Sequence, residues 1–260
     1  MGTSKCPRLV DVRSDGAYAR EPGLVPGSFR YASSAGQDVV GRMPGGPVVV
    51  ICGDGGAIGE GVAAWLRAAG VNAETLDGGI RAWAAAGLPM IPEAKIPPRD
   101  TLARTVWVTR HRPKIDRIAC PWLIRRFVDP SSVFLFVPPS EVEAVARQYG
   151  ATPFDVQNVF WSHRGDQCTF DTMVSEFALG TAPLQRLAAI VRGADTARLD
   201  IAPQAAGLLA ASLGLSRIYA DDLAQLEAGM VLYDAFYLWS RDAVDEGHGW
   251  PSAKHEAGSR

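Results

Sequence analysis

The rhythm of apolar and polar positions changes near residue 100. Before it, short apolar runs alternate with amphipathic stretches, so that 9–12, 48–52 and 73–76 read as strands and 59–69 and 79–86 as helices. The run Val48-Val49-Val50-Ile51 is continuous instead of alternating, the mark of a strand covered on both faces. Strands alternating with helices predict an α/β layer with a parallel sheet. From Ile91 to Asp100 there are three prolines within seven positions and no periodicity, which predicts a stiff, extended linker. Beyond it, strands at 106–109 and 133–137 give way to helices at 140–149, 171–179, 183–192, 203–213 and 221–243. Ser140 stands as N-cap of the first of these, with Glu143 at the reciprocal capping-box position. The last carries Leu223, Leu226, Met230, Tyr233, Tyr237 and Trp239 on one broad apolar face. The division that follows is an α/β domain at 1–92, a linker at 93–104, a mainly α-helical α+β domain at 105–245 and a flexible tail at 246–260. Each half has its own apolar pattern and is expected to fold independently.

One turn in the first half carries chemistry. The strand at 48–52 ends on Cys52, the loop Gly53-Asp54-Gly55-Gly56-Ala57-Ile58 follows, and a helix begins at once. Backbone N–H groups and the positive end of a helix dipole at such a turn favour thiolate over thiol, as a sulfur nucleophile requires. Two other readings compete. A free cysteine also serves as a small core hydrophobe, and Gly53, Gly55 and Gly59 approach a dinucleotide-binding glycine motif, with Asp77 near the place of a ribose-binding acid. That glycine spacing is off by one residue.

The company of Cys52 distinguishes these readings. Leu9-Val10-Asp11-Val12-Arg13, Val25-Pro26-Gly27-Ser28, the Cys52 loop, Asp77-Gly78-Gly79-Ile80-Arg81-Ala82-Trp83 and Gly87-Leu88-Pro89 occur in this order, and residues 9–90 resemble a rhodanese-like sulfurtransferase domain. The resemblance implies a rhodanese-like α/β fold with Cys52 as the persulfide-forming nucleophile. It also implies a substrate cradle from the backbone of Gly53, Asp54, Gly55, Gly56, Ala57 and Ile58, a small sulfur donor (thiosulfate, 3-mercaptopyruvate or a persulfide), a thiol acceptor and no required cofactor. The chain departs from the family pattern at Leu24, where a histidine is common, and at Ala57, where a basic or polar side chain often stands. An anionic donor such as thiosulfate thereby loses a side-chain partner.

Composition narrows the setting. A chain of 260 residues, 47% hydrophobic, with a formal net charge of −2, can bury one or two sizeable cores and gives no whole-chain reason for a polyanionic partner. No apolar run approaches the ~20 residues of a spanning helix, and the start Met1-Gly2-Thr3-Ser4-Lys5 has no apolar signal core. A cytoplasmic location without membrane contact is expected. Cys6, Cys52, Cys120 and Cys168 are scattered, with no C-x-x-C pair, which suits neither a disulfide framework nor a zinc ribbon.

The small net charge hides a basic stretch. Arg104, Arg110, Arg112, Lys114, Arg117, Arg125 and Arg126 stand with His111 against the single acid Asp116, whereas 221–246 is predominantly acidic. The two runs read either as solvated faces that pair with each other or as an anion site. For the second, Arg117, Cys120 and Arg125 gather about a helix start, Pro121 favours an early helical position, and arginine forks at a helix N-terminus suit a tetrahedral oxyanion. No helix-turn-helix signature stands out and the basic stretch is interleaved with apolar residues, so DNA is not an expected partner. Trp107-Val108-Thr109-Arg110, the block 114–127, Pro153-Phe154-Asp155, His163-Arg164-Gly165-Asp166-Gln167-Cys168-Thr169-Phe170-Asp171 and Ile190-Val191-Arg192-Gly193-Ala194-Asp195 together resemble the ChrB-type chromate resistance domain over 105–243. This resemblance implies a chromate-related setting, with chromate or sulfate as possible ligands.

His163, Cys168 and Asp171 could meet at the mouth of a helix and hold zinc or another transition metal, since such ions accept all three atom types; Cys120 is a candidate fourth ligand. Equally, Asp171 could serve the helix N-terminus, Cys168 fill the core and His163 hydrogen-bond within its loop. Trp122, Trp161 and Trp239 read as core. Two function classes therefore stand: a sulfurtransferase acting through Cys52, and a non-catalytic chromate- or sulfate-sensing protein with a degenerate rhodanese module.

Overall fold

The computed structural model describes residues 1–31 and 46–247. The expected tail lies outside the described residues from 248 on. The first half is built on four parallel strands, β1 (Arg8–Asp11), β2 (Ser28–Arg30), β3 (Val48–Ile51) and β4 (Ala73–Thr75), in the order β2-β1-β3-β4. Helix α1 (Asp15–Arg20) lies between β1 and β2, α2 (Ala57–Ala68) between β3 and β4, and α3 (Gly79–Ala85) follows β4. On one face Val10, Val48 and Val50 pack against Val62, Ala63 and Leu66 of α2; on the other, Leu9 and Ile51 pack against Val25 and Ile80. Both faces are covered, and for that reason the strand residues are uniformly apolar. Neither α1 nor β2 was expected: α1 buries no residue and β2 is three residues long, so neither has a periodicity to read.

The second half has a parallel sheet ordered β6-β5-β7, from β5 (Val106–Arg110), β6 (Val133–Val137) and β7 (Thr152–Pro153). The helices are α4 (Asp116–Leu123), α5 (Val142–Tyr149), α6 (Thr169–Glu176), α7 (Ala182–Asp195), α8 (Ala205–Ile218) and α9 (Asp222–Asp242). Two expectations are corrected. Ser140 does not cap α5: a 3-10 turn, Pro139–Glu141, leads into it, Glu141 is the N-cap residue without a side-chain bond, and Glu143 pairs with Arg147 one turn on. Pro121 lies inside α4, which begins at Asp116. Proline has no N–H to give the preceding turn, and the helix continues as a π turn over Ile124–Val128 that closes with the Asp129 N–H donating to the Ile124 carbonyl at 2.8 Å.

The segment expected as an extended linker is docked. Leu24 and Ile91 exchange backbone hydrogen bonds of 3.0 and 2.8 Å, and both side chains belong to the core that contains Trp107, Trp122, Phe127 and Tyr237. Glu93–Lys95 forms a 3-10 turn, Lys95 pairs with Glu176 at 2.6 Å, and Tyr18 of α1 hydrogen-bonds to Glu93. The Gly27 N–H donates to the Phe127 carbonyl at 2.6 Å. Near the chain start, the Ser4 N–H reaches Asp234 of α9 at 3.4 Å. Asp234 also accepts from Trp122 Nε1 and from Nε and Nη2 of Arg126, each at 2.8 Å. Among the described residues, no helix is long and apolar enough to cross a membrane.

Replacing Asp234 by Ala strands a buried indole N–H and a largely buried guanidinium, so a loss of about 3–5 kcal/mol is expected in urea unfolding. A loss within 1 kcal/mol would remove Asp234 from the framework. Gly27→Ala is expected to cost about 1–3 kcal/mol, because Gly27 has φ +76° and an added Cβ would meet the Arg126 carbonyl at 2.9 Å; unchanged stability would show that the two halves do not depend on this contact.

Candidate functional site

The end of β3 delivers Cys52 into a closed loop. Its sulfur is buried, accepts the Gly55 N–H at 3.1 Å and lies 4.0 Å from the Gly56 carbonyl oxygen. The loop is held from behind by the start of α3: Ile80 N–H donates to the Cys52 carbonyl at 2.9 Å and Arg81 N–H to the Gly53 carbonyl at 3.1 Å. Gly55 has φ +78°, and a Cβ on it would lie 2.8 Å from the Gly78 nitrogen. Gly59 passes so close beneath the sulfur that its Cβ would meet Sγ at 2.9 Å. The glycines thus serve the sulfur loop, which explains why their spacing fails the dinucleotide pattern. One amide is diverted, since Gly56 N–H donates to Asp54 Oδ1 at 3.1 Å. Ala57 opens α2 and the neighbouring Ile58 is exposed, so at these two positions the rim carries methyl and methylene groups and no cation.

The residues expected to bind an oxyanion are placed apart in their contacts. Arg117 Nε lies 3.3 Å from Asp155 Oδ2, and its Nη1 donates to the His111 carbonyl. Arg125 pairs with Glu227 at 2.5 Å and lies over the Phe134 ring. Cys120 is fully buried, and burial pushes its thiol well above the ordinary range. The first turn of α4 is filled by its own Asp116, which is buried and accepts the Thr169 N–H at 2.6 Å.

The metal trio also separates. Cys168 is the N-cap of α6, and its N–H donates to Asp171 Oδ2 at 3.0 Å in a reciprocal box. Asp171 Oδ1 accepts from Arg192 at 2.7 Å, and burial raises the Cys168 thiol. Asp171 is committed to the helix end and to Arg192, while the Cys168 thiol also lies against Asp116. His163 faces a different group: Nε2 lies 3.2 Å from Asp195 Oδ2, 3.4 Å from Asp155 Oδ1 and 3.5 Å from Asp116 Oδ2. Its hydrogen bonds with Asp155 and Asp195 push the imidazole up to about 10. Asp116 is driven upward by burial and then by Asp195 and Asp155. For Asp155 burial acts upward, but His163 and Arg117 outweigh it and hold the group below its usual range. His163 and Asp155 line a cleft of about 980 Å³ together with Arg110, Asn158, Ser162 and Glu143. Asp116, Asp155 and Asp195 carry no site signal in the sequence, because no local spacing joins positions that three different segments bring to His163.

Residues 107–240 match the family described as ChrB, C-terminal domain, and residues 1–86 match the rhodanese-like domain. Protein ChrB of Cupriavidus metallidurans is 34% identical over 133 residues, which are 50% of this chain and 39% of that protein. The chain thus spans well under half of that relative. Similar solved structures include a rhodanese-like domain protein from Staphylococcus aureus (27% identity, TM-score 0.28, 31% of this chain and 76% of that one). Another is SSP1007 from Staphylococcus saprophyticus (29% identity, TM-score 0.28, 32% and 80%). The first half is a rhodanese-like α/β domain on a parallel sheet and the second is mostly helical around its own small sheet. With half of its length matched by that family, the chain belongs to the ChrB C-terminal domain family and carries a rhodanese-like domain in front of it.

Proposed function

We propose that the chain is a sulfurtransferase in a chromate-related setting, with Cys52 as the sulfur carrier. The observation that supports this reading is the Cys52 sulfur held at 3.1 Å by the Gly55 N–H, with Gly59 left bare beneath it. That N–H fixes the position of the Cys52 sulfur within its loop. The thiolate attacks the outer sulfur of a persulfide R–S–SH, the S–S bond breaks, and RS⁻ leaves with the bonding electron pair. Cys52 then carries the persulfide, and an acceptor thiolate takes the outer sulfur and returns the Cys52 thiolate. Among donors, a persulfide or 3-mercaptopyruvate is favoured over thiosulfate, because Ala57 and Ile58 offer a dianion no charged partner. The four cysteines are free thiols, in keeping with a reducing cytoplasm.

The sensing alternative would require Arg117 and Arg125 to exchange Asp155 and Glu227 for chromate or sulfate. Calorimetric titration with both anions distinguishes the readings. Sulfur transfer without a chromate site in the second half gives no saturable heat, whereas binding lost in Arg117→Lys would favour sensing.

Intact mass after incubation with a persulfide donor is expected to show one added sulfur in the native protein and none in Cys52→Ser. No added sulfur with any of the three donors would reject the carrier role. Gly59→Ala should slow loading by about 100-fold, since the new methyl group displaces Sγ; loading at the native rate would mean that the position of the sulfur is not set by this contact.

A further inference from the structure

The geometry points to a metal centre in the second half: Asp116, His163 and Asp195, with Asp155 beside them, hold one divalent first-row transition-metal ion. Four segments supply the group. Asp116 opens α4, Asp155 follows β7, His163 lies in the loop before α6, and Asp195 ends α7. One ligand atom from each of Asp116, His163 and Asp195 falls within 4.8 Å of the others. The three carboxylate oxygens stand 3.2, 3.4 and 3.5 Å from His163 Nε2. Metal–oxygen and metal–nitrogen bonds of about 2.0–2.2 Å place neighbouring ligand atoms about 3.0 Å apart in an octahedron and about 3.4 Å apart in a tetrahedron. The three separations from Nε2 are close to these edges. A single N–H on Nε2 has one direction and cannot serve three carboxylates at once, whereas a cation among Asp116, His163 and Asp195 would draw on two of them together with the imidazole.

The second observation is independent of that spacing. Asp116 is fully buried, and its Oδ1 has no hydrogen-bond partner. A buried carboxylate oxygen without a partner is costly and calls for a proton, an ordered water or an ion; here it belongs to a residue of the Asp116, His163 and Asp195 group. The surroundings are also those of ligands held in place. Thr169 gives its N–H to Asp116 Oδ2 at 2.6 Å and its hydroxyl to Asp155 Oδ1 at 3.0 Å. Arg110 and Arg117 each lie 3.3 Å from Asp155 Oδ2. Such outer contacts orient carboxylates around a metal, and the two guanidiniums offset the charge that three carboxylates carry in excess of a dication. An oxygen-rich set with one imidazole and no thiolate suits Mn²⁺, Fe²⁺ or Zn²⁺ and does not favour Cu⁺. The side chain of His163 is 41% exposed and lines the cleft, so the ion would be open on one side to water or an oxygen ligand, as in metal sites that exchange a ligand.

Two histidines outside the described residues, His248 and His255, are candidate adventitious ligands, so the test uses the full chain carrying His248→Gln and His255→Gln. After removal of metal by a chelator, this protein is titrated calorimetrically with Mn²⁺ and with Zn²⁺. One ion per chain is expected, bound at least about 100-fold more weakly in His163→Gln and in Asp195→Asn, since even outer-shell losses reach that size. As a readout independent of substitution, pulsed electron paramagnetic resonance of the Mn²⁺-loaded chain should show coupling to one histidine nitrogen. Absence of stoichiometric binding, an unchanged affinity in both variants, or bound Mn²⁺ without nitrogen coupling would each overturn the assignment.

Discussion

The hydrogen bond from Gly27 to the Phe127 carbonyl, 2.6 Å long, is the contact on which the arrangement of the two halves turns. The last carbonyls of a helix have no partner within it, and Phe127 lies in the π turn that ends α4. The partner comes from another domain. Val25-Pro26-Gly27-Ser28 forms a tight turn, with the Ser28 N–H bonded to the Val25 carbonyl at 2.9 Å and Gly27 at φ +76°; proline followed by such a glycine is the type II pattern. The same turn feeds β2 and places Leu24 against Ile91, in the core of the second half. The turn that leads into the first sheet is thereby seated on the neighbouring domain.

Charge does the corresponding work within the second half. The basic stretch and the acidic run at 221–246 are far apart in sequence yet pair in space. Arg125 meets Glu227, Arg126 meets Asp234, and the Arg112 N–H donates to Asp222 at 3.1 Å. Gln225 and Tyr233 of α9 add hydrogen bonds to the Pro113 and Ile115 carbonyls, at 2.6 and 3.0 Å, and clamp the turn where Ile115 has φ +38°. The arginines therefore hold α9 against α4 and the loop before it. Their pairing engages Arg125 and Arg126 with the acids of α9, while the acids near His163 form a cluster of the opposite character.

What could be read in advance follows from how local each determinant is. The strand β3 and the Cys52 loop were legible because a buried parallel strand must be apolar throughout and a turn closing on a sulfur must be glycine-rich. The helices α7 and α9 were legible from their apolar stripes, although Leu223, expected on the buried face, is half exposed. Pro121 misled because proline usually marks a helix start; here α4 is buried nearly all round, and tertiary packing holds a proline in its interior. Ser140 misled because its cap signal was outweighed by the 3-10 turn set up at Pro139. The docking of 91–96 was hidden, since Ile91 and Ile96 are too few to make a period. The group around His163 was hidden for a stronger reason: its carboxylates come from α4, the end of β7 and the end of α7, and only the finished fold brings them together.

If the two halves are joined as described, they open together. Hydrogen exchange followed by mass spectrometry at increasing denaturant compares Val48–Ile51 in β3 with Val106–Arg110 in β5, central strands of the two sheets. Their amides should exchange through one common opening, with the same free energy and the same denaturant dependence. Exchange of β3 at clearly lower denaturant, with β5 still protected, would contradict the shared framework and make the first half a separate unit.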